Sequence, residues 1–167
     1  MFIEAKKLIG LPVAAMDTES KVGVISKIII DPKNGNLMGF LLKKENILSS
    51  SLALANSDIS EWDPNGLLTP TIDNLVKPEE IIRLNEILQN NFDLFGLKAK
   101  TQSGKKLGQV DNFLIDSETS YVMKYYLKDL ILGDRVFSSD KVVKIDKVIV
   151  FTDDVEQIPT SAEGATA

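Results

Sequence analysis

The chain has 167 residues, 44% of them hydrophobic and 26% charged, which suits a globular protein of one medium or two small domains. Its net charge of −5 disfavours nonspecific nucleic-acid binding and electrostatic docking on an anionic membrane, since both run on Lys and Arg. With no cysteine and no histidine, disulfides, thiolate nucleophiles, Cys-ligated metals and every His-based catalytic dyad or triad are excluded.

In chain order, Met1 to Lys7 lacks the charged-then-apolar layout of a signal peptide, and no window approaches the ~18 apolar residues of a membrane helix. The expectation is a cytoplasmic protein with no membrane insertion. Val22–Ile30 and Leu37–Lys43 are rich in β-branched and apolar residues and read as strands. Between them, Asp31-Pro32-Lys33-Asn34-Gly35-Asn36 reads as a hairpin turn, because Pro32 presets φ and Asn34-Gly35 tolerates positive φ. A polar stretch then leads to a closing region, Ile59–Thr69, turned at Asp63-Pro64-Asn65-Gly66. Pro78 to about Asn90 predicts a helix: Pro78 suits the first position, Glu79 and Glu80 complement the dipole, and Ile81, Leu84, Ile87 and Leu88 form one apolar stripe. That stripe suits packing on a barrel or on a partner. Further strands are predicted at Leu107–Ile115 and Val122–Lys128, joined by the polar turn Asp116–Ser120. A closing pair follows at Val142–Phe151, with apolar positions Val143, Ile145, Val148 and Val150 and a turn at Asp146-Lys147. Pro159–Ala167 has no large apolar residue and reads as a frayed tail.

The chain repeats itself. Ile9-Gly10-Leu11, Val22-Gly23-Val24-Ile25, Ile28-Ile29-Ile30-Asp31 and Leu37-Met38-Gly39-Phe40-Leu41-Leu42-Lys43 align with Phe95-Gly96-Leu97, Leu107-Gly108-Gln109-Val110, Phe113-Leu114-Ile115-Asp116 and Val122-Met123-Lys124-Tyr125-Tyr126-Leu127-Lys128. One gap in the first loop suffices, and glycines, an aspartate and spacing coincide. Many short strands with frequent turns suggest a small barrel, which also removes exposed edges. The fold class is therefore mainly β: two small barrels in tandem with a connecting α-helix. The expected divisions are a first barrel at 1–76, a linker helix at 77–91, a second barrel at 92–154 and a flexible tail at 155–167.

This pattern of a Gly-Leu opening, a Val-Gly-x-Val/Ile strand, an Ile-Asp turn and a Met-Gly-Phe-Leu-Leu-Lys strand resembles the PRC-barrel family. Doubled, it covers about residues 6–70 and 93–154. The resemblance implies small β-barrels like the cytoplasmic domain of the photosynthetic reaction-centre H subunit and the C-terminal half of the ribosome maturation factor RimM. Lys124 stands where the first copy has Gly39, so the two copies need not bind alike.

Candidates for chemistry are few. Gly104 and Gly108 flank a strand entry with no Lys-Ser/Thr following, so they mark turns rather than a phosphate loop. Asp31 and Asp116 are equivalent, Asp58 is set against Asp140, and Asp153-Asp154 ends the last strand; all sit at turns or strand ends. The expectation is no catalytic residue, no metal and no cofactor. Tyr121, Tyr125 and Tyr126 cluster in one strand, and alternation places Tyr125 and Tyr126 on opposite faces. Possible partner contacts are Lys124, Tyr125 and Tyr126. The reading is a non-enzymatic binding or adaptor protein docking on a protein partner. The alternatives are a RimM-like ribosome- or RNA-associated assembly factor, for which Lys98, Lys100, Lys105 and Lys106 are the basic cluster, and a self-associating structural protein.

Overall fold

The computed structural model describes residues 1–44 and 50–155. The expected tail beyond residue 155 lies outside them. The first half runs β1 (Phe2–Glu4), α1 (Ala5–Leu8), β2 (Pro12–Ala15), β3 (Ser20–Asp31), β4 (Asn36–Lys43), β5 (Leu52–Ala55), β6 (Glu61–Asp63), β7 (Gly66–Thr69) and β8 (Leu75–Val76). Helix α2 (Ile82–Gln89) follows, then β9 (Lys98–Thr101), β10 (Lys106–Asp116), β11 (Tyr121–Lys128), β12 (Arg135–Ser138), β13 (Val142–Ile145) and β14 (Ile149–Phe151).

Within the first half, β3 pairs antiparallel with β2 and β4, β4 with β5 and β6 with β7, while β2 and β7 run parallel. Strand β5 also pairs antiparallel with β8 on its other side, and a single 3-10 turn at Asn56–Asp58 leads from β5 towards β6. In the second half β9, β10, β11, β12, β13 and β14 repeat the pairings among β2 to β7 strand for strand, including the parallel pair of β9 and β14. The irregularities repeat too. Bulges fall at Val22, Ser26 and Met38 in the first half and at the equivalent Leu107, Asp111 and Met123 in the second. Bulges bend a strand and increase its twist, so matched bulges give matched curvature. Gly23 and Gly108 sit beside the first of them, where an added Cβ would lie 2.8 Å and 2.2 Å from the carbonyl oxygens of the equivalent Lys43 and Lys128.

The two long hairpins meet tip to tip. Leu37 donates its backbone N–H to Ser120 O at 2.7 Å, and Val122 donates to Gly35 O at 3.0 Å. These are equivalent pairs in the repeat, so the junction has a local two-fold character. The segments preceding the two halves cross over it. Strand β1 pairs with β10, and Lys6 on α1 binds Asp111 at 2.6 Å through its ammonium and Asn112 Oδ1 at 3.0 Å through its backbone N–H. Helix α2 instead covers the first half, burying Leu84 and Ile87 against Ile29 and Ala53. Buried residues from both halves, from Ala5 and Leu8 to Phe137 and Phe151, form one contiguous cluster.

The structure corrects several sequence expectations. The linker is not one continuous helix from Pro78: Pro78–Glu80 is a 3-10 turn, and Ile81 breaks to an extended ψ of 92° before α2 begins. Glu80 causes this by folding back to accept the Lys77 N–H at 3.1 Å. In the closing pair, Ile149 and Phe151 are the core residues and Val143 is 49% exposed, because β13 shifts register between Val142 and Lys144. Asp58 and Asp140 do not match; they are the third and second residues of corresponding 3-10 turns, Asn56–Asp58 and Ser139–Lys141. Strands β1, β5 and β12 had no expectation at all.

Candidate functional site

Strand β11 carries the predicted contact residues, and the bulge at Met123 decides where each one points. Tyr125 lies between β10 and β12, opposite Phe113 and Phe137, and is 1% exposed. Its ring meets Phe151 edge-on at 5.9 Å, much as the equivalent Phe40 meets Trp62 at 5.9 Å. Burial pushes its phenol above the ordinary value, so it stays neutral. Tyr125 is therefore core, and its place among the contact residues is withdrawn. Tyr126 and Lys124 are half-exposed. Lys124 occupies a position where the first half tolerates no side chain: at Gly39, with φ +154°, an added Cβ would lie 2.3 Å from Leu54 O.

Two further residues on β11, Tyr121 and Met123, are exposed at 42% and 36%. They belong to a small cavity of about 260 Å³ at the hairpin junction. Pro32 and Gly35 from the first turn, Val143 from β13 and buried Tyr125 also line it, together with the polar Lys33, Asn34, Ser139 and Lys144. Cofactors and drug-sized ligands occupy roughly 300–1,000 Å³. This cavity suits one or two inserted side chains instead. Aromatic residues and Met are enriched where proteins touch one another. The sequence named Tyr121 as part of the aromatic cluster, but joining it to Met123, Pro32 and Val143 needed the hairpin junction.

The acids are occupied in structural bonding. Asp31 accepts two hydrogen bonds from Arg83, at 2.6 and 3.0 Å, and one from its own turn at Lys33 N at 2.9 Å. Arg83 accordingly holds the Asp31 carboxyl below the usual range. Asp116 accepts from Glu118 N at 3.1 Å and Thr119 Oγ1 at 2.9 Å, and these bonds lower its pKa as well. Asp111 is lowered chiefly by Lys6 and then by Lys128. Asp153 is lowered by Ser103 N, which it binds at 2.9 Å, and Asp154 by Thr152 and Lys141. Each of these carboxyls is displaced away from neutrality, whereas a general acid or base works best with a pKa near the operating pH. Among the described residues no group of three His, Cys, Asp or Glu side chains could hold a metal ion. No helix among them is long and apolar enough to cross a membrane.

This architecture defines a mainly β protein whose first half is a small curved barrel. The PRC-barrel domain family model matches residues 1–70, most of the first half. No curated protein matches the chain.

Proposed function

We propose that the chain is a non-enzymatic adaptor made of two PRC-barrel modules, residues 1–76 and 92–154 joined by 77–91, that docks on a protein partner in the cytoplasm. The repeated strand pairing of β2 to β7 in β9 to β14 and the matched bulges of the two halves support the second module, which the family match does not reach. The observation that carries the docking function is the β11 face, where Tyr121 and Met123 stand exposed and Tyr126 and Lys124 half-exposed beside a side-chain-sized cavity. Duplication followed by divergence explains why this face differs between halves: Leu41 and Met38 of the first half pack beneath α2, while Tyr126 and Met123 take their places in the second. The settled ion pairs and turn bonds of the acids support the absence of catalysis.

Affinity purification from a native lysate tests this, with wild type and a Tyr126→Ala/Met123→Ala variant in parallel. A protein retained by the wild type should be weakened about tenfold or more by the variant, as when a hot spot is truncated. Both proteins should melt at similar temperatures. Ribosomal proteins eluting with either would replace this reading by an assembly-factor role, and a clean self-oligomer by a structural one.

A further inference from the structure

At the end of β11 away from the junction cavity, the loop to β12 places three large aliphatic residues in succession on the surface. Leu130 is 107% exposed, Ile131 92% and Leu132 54%. Large apolar side chains are normally taken out of water, so three adjacent ones held outward call for a partner phase. The loop is also a built structure. Asp129 Oδ1 accepts the backbone N–H groups of Ile131 and Leu132, each at 2.8 Å, and Gly133, with φ +75°, donates to Asp129 O at 3.0 Å.

A basic collar flanks the finger on the side of the sheet. Lys98, Lys100, Lys106 and Lys128 line a shallow depression of about 760 Å³ together with Leu130 and Ile131. They come from three neighbouring strands in register: Lys98 faces Gln109, which faces Lys128, and Lys100 stands directly opposite Lys106. Like charges opposite one another weaken a sheet, so the Lys100–Lys106 pair costs stability unless an anion meets it. Lys128 pairs with Asp111 at 3.2 Å, but among the described residues no ion pair involves Lys98, Lys100 or Lys106. Asp129 and Asp134 share the rim, and the Asp129 carboxylate is bound into the loop backbone.

We propose that this finger and its lysine collar dock the protein on an anionic lipid bilayer. The aliphatic tip enters the boundary between headgroups and acyl chains, and the lysines meet the anionic headgroups. A protruding apolar tip flanked by cations complements a soft surface that is negative outside and apolar beneath. A protein partner would need a deep apolar pocket with an acidic rim to match it. The chain's net charge of −5 does not prevent this, since charges more than about 8–10 Å away are largely screened at physiological salt.

Co-sedimentation of the full chain with vesicles is the test, comparing phosphatidylcholine alone with phosphatidylcholine containing about 30% phosphatidylserine. The protein should pellet with the anionic vesicles and stay in solution with the neutral ones, and added salt should release it. Ile131→Asp and, separately, Lys98→Glu/Lys100→Glu should each reduce binding about tenfold or more. Ile131→Asp should leave the melting temperature unchanged, because the side chain is exposed, and Lys98→Glu/Lys100→Glu should not lower it, because a glutamate at position 100 would face Lys106 as an opposite charge. A Leu130→Trp variant should show a blue shift of emission with anionic vesicles beyond any seen for the wild type. The proposal is overturned if the wild type fails to pellet, if neutral vesicles bind it equally, or if Ile131→Asp pellets like the wild type. It is also overturned if Ile131 proves to drive self-association without lipid binding.

Discussion

At Gly39 the backbones of β4 and β5 approach so closely that any side chain must push two hydrogen-bonded strands apart. Gly39→Ala should therefore lower stability by about 3 kcal/mol. In a chain of this size that corresponds to roughly 6–12 °C in Tm, read from a thermal melt. The reciprocal change at the equivalent position, Lys124→Gly, should cost about 1 kcal/mol or less, the ordinary penalty of glycine in a strand. Equal losses at the two positions would mean that the close approach is not specific to the first half. The two tyrosines of β11 should separate in the same assay. Tyr125→Ala empties a core site and should cost about 3–5 kcal/mol, whereas half-exposed Tyr126→Ala should cost about 1 kcal/mol or less. The Gly39–Lys124 contrast was legible in the sequence, because aligned repeats expose a position that tolerates a side chain in one copy only. Which tyrosine pointed inward was not legible: alternation tells only that neighbours differ, and the bulge at Met123 resets the parity.

Helix α2 is held at two levels, an apolar stripe and one bidentate ion pair. The stripe was readable from spacing, since Leu84 and Ile87 are the buried positions. The ion pair was not, because Asp31 and Arg83 are 52 residues apart and only the fold brings them together. Short strands such as β5 and β12 were illegible for a related reason. Four residues give too little alternation to register, and Leu52–Ala55 carries two alanines of poor strand preference. Breaking the pair by Arg83→Met should cost about 2 kcal/mol at neutral pH, as for a hydrogen bond to a charged group. The pH dependence follows from the direction of the shift. Asp31 is lowered in the folded state, so its contribution is fully present above the unfolded value of about 3.9 and is lost as pH falls through the folded pKa. Denaturant titrations from pH 7 downward should show the wild type losing its advantage over Arg83→Met below about pH 4. A difference that persists undiminished into strong acid would show that Arg83 acts through packing rather than charge.

The molecule as a whole is more tightly joined than two modules on a linker. The aligned sequence segments carry no sign that the segment before each half attaches to the other half. That information resides in contacts such as Lys6–Asp111, separated by 105 residues. Three features couple the halves: the reciprocal hydrogen bonds at the hairpin tips, the crossed segments β1–α1 and α2, and one continuous buried cluster. Each half taken alone is also small enough to be marginal, since little of so short a chain can be buried. Calorimetry should therefore give a single transition, with calorimetric and van't Hoff enthalpies equal. Residues 92–155 expressed alone would lose β1 and α1 from β10, leaving Ile115 and the partners of Ala5 and Leu8 open to water; this fragment should melt well below the intact chain or fail to fold. Mixing it with residues 1–91 restores every cross-over contact, because β1–α1 and α2 both travel with the first fragment, and the mixture should regain the cooperative melt. Two resolved transitions, or a second fragment as stable alone as in the intact chain, would show that the halves fold independently and that the crossed segments contribute little.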